Sequence, residues 1–443
     1  MDAMDAVIAR LLCVNLLFPL NCCASLIWNE KRFMGIVVQK FGGTSVATPE
    51  RIHKAAQKVV AAKRAGNQVV VVVSAMGHTT DELVELATKV WGETPGQPPK
   101  REMDQLLATG EQVTIALIAM ALAAQGHQAI SFTGGQIGLI TDENFSKARV
   151  KEIDKHRILT ELEKGKIVIV AGFQGVTASG DVTTLGRGGS NATLVAIGAV
   201  LKADVCENYT DVAGIFTADP RIVKDARLIK EISYDEMMEL SSVGASVLQT
   251  RAVEFAKKYN VPIHVRHSQT DEPGTMIVAE TKAMEHIAVS GCALKKDLTR
   301  VTLKQVPDRP GVVAQIFAAV GAAHVVVDDI IQNVMADGTA NISFTVEHGD
   351  VADLKSVIEK QAKELGGGQA TFDTNLAKVS VVGVGMKQST GVAAKMFGAL
   401  AREKVNIQNI STSEIRISCI IAKVDADKAL NAVHAAFELG KEH

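Results

Sequence analysis

A chain of 443 residues with 47% apolar, 22% charged and only 4% aromatic residues is too long for one ordinary hydrophobic core and too apolar for disorder, so two or three α/β domains are expected. A formal net charge of -2, with basic runs that carry no interleaved aromatics, excludes nucleic acid as a partner. Six cysteines without a CxxC pair or matching His spacing exclude a disulfide framework and a zinc site, and Cys206, Cys292 and Cys419 read as small buried residues in a reducing, cytoplasmic compartment.

Residues 1–33 stand apart from the rest. They hold the apolar run from Leu11 to Ile27, broken by Asn15, Pro19 and Asn21, and they begin with Asp2 and Asp5 where a secretory signal carries positive charge. We read them as an extension upstream of the true start at Met34; a targeting segment and a membrane anchor are the alternatives. From Gly35 onward apolar runs alternate with helical patterns: strand 36–38, helix 49–66, strand 68–73, helix 80–90, a Pro/Gly-rich loop 92–100, helix 109–125, strands 128–132 and 167–171, helix 191–202, strand 205–209 and a last strand 262–265. Buried parallel strands with crossover helices give this alternation, so a three-layer α/β/α domain is expected over 34–283, closing in the segment 272–282 with its Glu-Pro-Gly. Beyond it the chain repeats itself. Residues 310–332 and 390–412 align without gaps at an offset of 80, pairing Gly311 with Gly391, Phe317 with Phe397, Val325 with Val405 and Ile330 with Ile410. A strand before each copy (300–306, 378–384) and a strand and helix after it give two ferredoxin-like βαββαβ modules, 298–372 and 376–440.

Three motifs carry chemistry. Lys40-Phe41-Gly42-Gly43-Thr44-Ser45 follows the first strand; glycines let backbone N–H groups approach phosphate and the lysine supplies a point charge, although a Gly-rich tight turn without function has the same form. Thr184-Leu185-Gly186-Arg187-Gly188-Gly189-Ser190-Asn191 opens a helix and places an Arg fork beside its N-terminus, suited to a carboxylate or a phosphate, or else a plain strand-to-helix turn. The stretch from Thr210 to Arg221 follows a strand and, read singly, is a loop; neither a Walker loop nor a dinucleotide fingerprint is present.

Together KFGGTSV, VVVSAMG (71–77), TGE (109–111), GFQG (172–175), TTLGRGGS, YTDVAGIFTADPR and VPIHVR (261–266) resemble the aspartokinase branch of the amino-acid kinase family, and the repeated modules resemble its paired ACT domains. The resemblance implies phosphorylation of the aspartate side chain by ATP with Mg2+, the first step towards lysine, threonine and methionine. By the same resemblance Lys40, Phe41, Gly42, Gly43, Thr210, Asp211, Phe216, Thr217, Ala218, Asp219, Pro220 and Arg221 hold ATP, Ser74, Thr80, Glu111, Arg187, Gly188, Gly189 and Ser190 surround aspartate, and Lys40 and Arg187 are catalytic. Glu111 suits the substrate ammonium and Arg187 a carboxylate; an ionised acceptor needs no general base. For Glu111, a carboxylate on the helix dipole is the alternative.

The ACT resemblance implies feedback by lysine and/or threonine at Asp308, Gly311, Val313, Gln332, Val392, Asn406, Ile407, Ser413 and Glu414, and a homo-oligomer formed through these modules; purely structural pairing modules that drive oligomerisation are the alternative. Three positions depart from the family: Asn191 replaces its Asp, Ser246 its Lys, and Phe216 its Tyr. Two other readings stand beside this one. The chain is a kinase of glutamate or a related acid, or it is a non-catalytic amino-acid-binding regulatory subunit of the same fold.

Overall fold

Five consecutive valines, Val69 to Val73, demand a strand covered on both faces, and the computed structural model buries all five. It describes residues 35–245, 247–281, 288–323, 325–366 and 368–441; the extension 1–33 and Ser246 lie outside the described residues.

The first half of the chain begins with strand β1 (Ile36–Phe41), helix α1 (Pro49–Arg64) and strand β2 (Gln68–Val73). Three helices follow in succession, α2 (Thr79–Trp91), α3 (Lys100–Leu107) and α4 (Thr109–Ala124). Then come β3 (Ala129–Phe132), β4 (Leu139–Thr141), β5 (Val150–Ile153), α5 (His156–Glu163), β6 (Ile167–Ala171), β7 (Gln174–Val176) and β8 (Val182–Thr184). Helix α6 (Gly189–Leu201), β9 (Val205–Thr210), β10 (Glu231–Ser233), α7 (Tyr234–Ser242), α8 (Thr250–Tyr259), β11 (Ile263–His267) and β12 (Thr275–Val278) complete it. The helices start where local chemistry dictates. Thr48 caps α1 by accepting from Arg51 N, with Pro49 at the first helical position, and Ser233 and Glu236 close a capping box on α7.

Eight strands form one sheet in the order β10-β12-β11-β9-β1-β2-β6-β3, with α1 and α4 over one face and α6 over the other. The strand expected to be last is not. β12 adds to the sheet antiparallel to β11 after the Glu272-Pro273-Gly274 turn, and the buried Thr275 hydroxyl fixes it there by donating to Ile229 O and accepting from Ile215 N. The expected single helix 109–125 is preceded by a separate α3, and together Lys100–Ala124 is the one helical stretch among the described residues long and apolar enough to cross a membrane. It is a core element, with Ile115, Ile118 and Leu122 packed against β2 and β6 residues. A small second sheet, β5-β4-β7-β8, was not foreseen.

The second half comprises β13 (Gly291–Pro307), α9 (Val312–Ala322), β14 (Asp328–Val334), β15 (Thr339–Glu347), α10 (Val351–Glu364), β16 (Gln369–Val382), α11 (Val392–Arg402), β17 (Ile407–Thr412), β18 (Arg416–Ala422) and α12 (Ala426–Ala436). Its sheet runs β14-β15-β13-β16-β18-β17. The two repeats are interleaved, not consecutive. From Leu298 on, β13 pairs with β15, and from Arg300 on with residues 369–373 of β16, whereas Gly291 to Lys295 pair with Val382 to Lys378. The second βαββαβ module therefore takes its outstanding strand from residues ahead of the first, and 376–440 alone leaves it one strand short.

One buried ion cluster ties the modules together. Lys378, 1% exposed, lies 2.5 Å from Asp328 and 2.9 Å from Asp329, whose carboxylate is itself only 2% exposed. Lys378→Ala strands a buried charge, and urea unfolding of the whole chain is expected to show a loss of about 3–5 kcal/mol; an unchanged midpoint would mean that water replaces the cation.

Candidate active site

The strand order reverses between β9 and β1, so the turns leaving their carboxyl ends diverge and open a crevice, the position at which open α/β sheets take ligands. The Gly42-Gly43 turn leaves β1 at this crevice. Gly42 N donates to Tyr209 O of β9 at 3.3 Å, Ser74 N to Phe41 O at 3.1 Å and Gly77 N to Gly43 O at 3.0 Å. A Cβ on Gly43 would stand 2.9 Å from Ala75 O, so space alone requires glycine there. Lys40 reaches over this turn, its Nζ 3.3 Å from where a Gly42 Cβ would stand. It is 8% exposed and has no hydrogen-bond or ion-pair partner among the described residues. Burial pushes its ammonium down to about 8, while the Asp211 charge opposes the shift.

Across the crevice Glu111, 2% exposed, accepts from Ala75 N at 3.0 Å through Oε1, and its Oε2 has no partner. Burial pushes this carboxyl up to about 7 against that hydrogen bond. Ser74 donates to Ser190 Oγ at 2.9 Å, and Ser190 packs so closely that a Cβ on Gly172 would lie 2.8 Å from it. Gly188 caps α6 at φ 66, a left-handed conformation, against the side chain of Gln249. Arg187 beside it is exposed and without an ion pair among the described residues. Thr80 is half-buried in the first turn of α2, and Thr210 donates to the exposed Asp211 at 3.0 Å.

The structure thus brings together Lys40, Gly42, Gly43, Ser74, Glu111, Gly188, Gly189 and Ser190, with Thr80 at the start of α2, Thr210 at the end of β9, and Arg187 and Asp211 on the loops beside them. Several expected residues point elsewhere. The Phe41 ring stacks on Tyr209 at 4.8 Å in the core on the opposite face of the sheet, because side chains alternate along a strand, so only its backbone faces the crevice. Thr217 is consumed by the second module: its hydroxyl meets His434 Nε2 at 3.0 Å and its carbonyl accepts from Cys292 N at 2.8 Å. Ala218 is buried with Val379 and Val433 in that module's core. Asp219 is held below the usual carboxylate range by Arg221, which grips both its oxygens. Phe216 is half-buried and bridges to Leu228, and Pro220 is exposed.

The effector set also divides. Gln332 donates to Asp308 Oδ1 at 3.1 Å beside Gly311, which caps α9 at φ 96, and Val313 is partly exposed. In the second module Val392 is buried in the core and cannot offer its side chain, while Asn406 is exposed and Ile407 half-buried. Ser413 and Glu414 sit at the other end of β17, about 20 Å along the strand at its usual rise. There they line an open cavity of about 300 Å³ with Asp235, Glu239, Val384, Lys387 and Ile415. The nine residues therefore do not converge within one chain.

Sequence reasoning missed two supporting residues. Asp104, fully buried, accepts from the backbone and hydroxyl groups of Ser146 and Thr184, and Arg251 donates to Leu185 O and Ala148 O. Both pin the loops before α6, and their partners lie at least 42 residues away, where no local pattern reveals them.

An unpartnered lysine over a Gly-Gly turn at the switch point of an α/β sheet, followed by paired βαββαβ modules, defines a phosphotransferase with an appended ACT pair. Residues 35–267 match the amino acid kinase family, and residues 300–366 and 379–437 match ACT domains. The chain is 49% identical to an aspartokinase of Pseudomonas aeruginosa over 92% of its length and 98% of that protein, and 49% identical to aspartokinase 2 of Bacillus subtilis over 92% and 99%. Its fold superposes on E. coli aspartokinase III in complex with aspartate and ADP with a TM-score of 0.77 at 25% identity, covering 90% of this chain and 99% of that one. The complex of the same enzyme with lysine and aspartate gives 0.72. The chain belongs to the amino acid kinase family and, within it, to the aspartokinases. It is an enzyme, and the reading as a non-catalytic regulatory subunit is set aside.

Between about pH 4.5 and 7 the folded chain holds a proton on Glu111 that the unfolded chain has released, so this residue's contribution to stability falls as pH rises through that window. Glu111→Gln is expected to raise the melting temperature of the ligand-free protein at pH 8, by the equivalent of roughly 2 kcal/mol, and to leave it unchanged at pH 4. Thermal scans at the two pH values check this.

Proposed function

We propose that this protein transfers the γ-phosphoryl group of ATP to the side-chain carboxylate of L-aspartate, giving 4-phospho-L-aspartate and ADP in the first step of lysine, threonine and methionine biosynthesis. The observation that carries the reading is Lys40, a buried ammonium without a partner among the described residues, held over the Gly42-Gly43 turn and facing Glu111 across the crevice. A carboxylate oxygen of aspartate forms the new bond to the γ-phosphorus as the bond to the β,γ-bridging oxygen breaks, and ADP leaves with that electron pair. Lys40 and the turn amides neutralise the charge on the moving group, Glu111 receives the substrate ammonium, and Arg187 clamps its α-carboxylate. The acceptor is already ionised, so positioning replaces base catalysis. Asp211, an exposed carboxylate at the crevice, would help to hold magnesium, which would supply further charge neutralisation.

Feedback by lysine and/or threonine at the ACT modules is the second part of the proposal. The Thr217–His434 bond, the burial of Ala218 and Val223 in the second module's core, and Glu236 bonded to Ser290 Oγ and Val384 N support it, since they join the catalytic half to the module. Burial holds the His434 imidazole below its ordinary value, in the neutral form. Exposed apolar residues on and beside the outer strands, Val326, Ile330, Val334 and Ile410, support a homo-oligomer in which a second copy covers them. The buried free thiols Cys206, Cys292 and Cys419 fit a cytoplasmic location.

The chain from Met34 is expected to form aspartyl hydroxamate from aspartate, ATP and hydroxylamine, and to form less with lysine plus threonine; no product from aspartate, with product from glutamate, overturns the substrate assignment. His434→Ala is expected to raise the inhibitor concentration for half-inhibition about threefold or more, while uninhibited kcat stays within about threefold. An unchanged inhibition curve removes this contact from the coupling.

A further inference from the structure

Two side chains close to Lys40 leave buried polar atoms without a hydrogen-bond partner among the described residues: Asn191 at Oδ1, and Asn208 at both Oδ1 and Nδ2. Asn191 is 8% exposed and Asn208 only 1%. An orphaned carboxamide in a core is costly and calls for a use. Asn208 is the registered neighbour of Lys40 across the β1–β9 pairing, so the two project from the same face of the sheet. That face is covered by α6. Val38 and Cys206, two residues before Lys40 and Asn208, share a buried cluster with Leu194 and Val195, and Cys206 Sγ lies 3.7 Å from Leu194 O. Asn191, Leu194, Val195 and Gly198 form one stripe of the helix, and Gly198 is pressed against Cys206 Sγ. Helix and strand run in opposite senses, so one turn back from Leu194 (about 4.5 Å) and two residues on from Cys206 (about 6.6 Å) bring Asn191 level with Asn208.

The donors and acceptors of the three residues are complementary. Lys40 has only donors, Asn208 one acceptor and one amide donor group, and Asn191 an unused acceptor. We propose that Asn208 is a positioning residue for phosphoryl transfer, accepting from the Lys40 ammonium through Oδ1 while its Nδ2 donates to Asn191 Oδ1. Rotation of the Lys40 side chain exchanges its pose over Gly42 for this one. The inference rests on the aspartate kinase reading. It gives Asn191 a neutral role: an amide there accepts from Asn208 without adding a second negative charge beside the phosphates. Asp211 is the charged group acting on Lys40, and the titratable Glu111 faces it across the crevice; Val72 and Asn208, its neighbours on β2 and β9, and Ser190 and Asn191 at the start of α6 are uncharged.

The experiment compares the full chain with Asn208→Leu, of similar volume, and Asn208→Thr, which keeps a donor and an acceptor. Competitive acetylation of Lys40 followed by peptide mass spectrometry gives its titration midpoint, and kcat and KM are measured from pH 6.5 to 9.5. In Asn208→Leu the midpoint is expected to fall by about one pH unit and kcat about tenfold, as one charge-assisted hydrogen bond is lost. KM for aspartate stays within about twofold, the alkaline limb of kcat moves down with the midpoint, heat stability does not fall, and Asn208→Thr recovers part of both losses. An unchanged midpoint and kcat in Asn208→Leu overturns the proposal. So does a lowered melting temperature in both variants with the midpoint in place, which makes Asn208 a packing residue. Absence of aspartyl phosphate from the unaltered chain refutes the parent reading instead, and the acetylation midpoint still decides the role of Asn208.

Discussion

A lysine ammonium held out of water, with no carboxylate in contact among the described residues, is the constraint around which the catalytic half is arranged. Desolvation opposes the charge on Lys40, and Asp211 opposes that desolvation from a distance. The ammonium is tolerable because it sits where the strand order reverses, with the diverging turns of β1 and β9 leaving room for an anion. Around it the glycines at 42, 43, 172 and 188 keep every backbone close, and Glu111 carries the complementary strain, a carboxyl raised by burial until a cation reaches it. Each of these groups is poorly satisfied alone. A phosphate and an amino acid supply the charges that they lack.

The stretch after β9 does two things at once. Its first residues, Thr210 and Asp211, stay at the crevice, while Thr217, Ala218 and Val223 turn into the core of the second module. A strand of that module, Gly291 to Lys295, arrives directly against Thr217, and Glu236 spends one carboxylate oxygen on its own helix cap and the other on Ser290 and Val384. The catalytic and ACT halves are therefore joined by buried polar contacts and a shared core, which transmit displacement far better than a surface ion pair.

Interleaving of the two modules has its own consequence. Because β13 and β16 each serve both, the modules share one six-stranded sheet, and the buried Lys378–Asp328–Asp329 cluster sits at their junction. The outer strands of that sheet, β14 and β17, present edges that no other strand among the described residues pairs, with apolar side chains. Asp308 and Gln332 lie by one of these edges, and Asn406 and Ile407 by the other, far from each other within a single chain.

Local information carried most of the architecture. The valine run, the helix-period stripes, the Gly-rich turns after strands and the repeat at an offset of 80 are short-range patterns, and each element they imply is present, with bounds moved by a few residues. Motif order was enough for the family, because glycine positions and charged residues at fixed spacing reflect the close approach of backbone to phosphate. What tertiary structure alone decided is where side chains of those motifs point and what distant residues meet them. Alternation along β1 sends Phe41 into the core and Lys40 to the crevice; Thr217 is claimed by a histidine 217 residues away; Asp104 finds Thr184 across 80 residues; and a strand ahead of the first repeat completes the second. Pairings over such separations leave no periodic trace in the chain, since they depend on which faces the packed layers bring together and not on any neighbour in sequence.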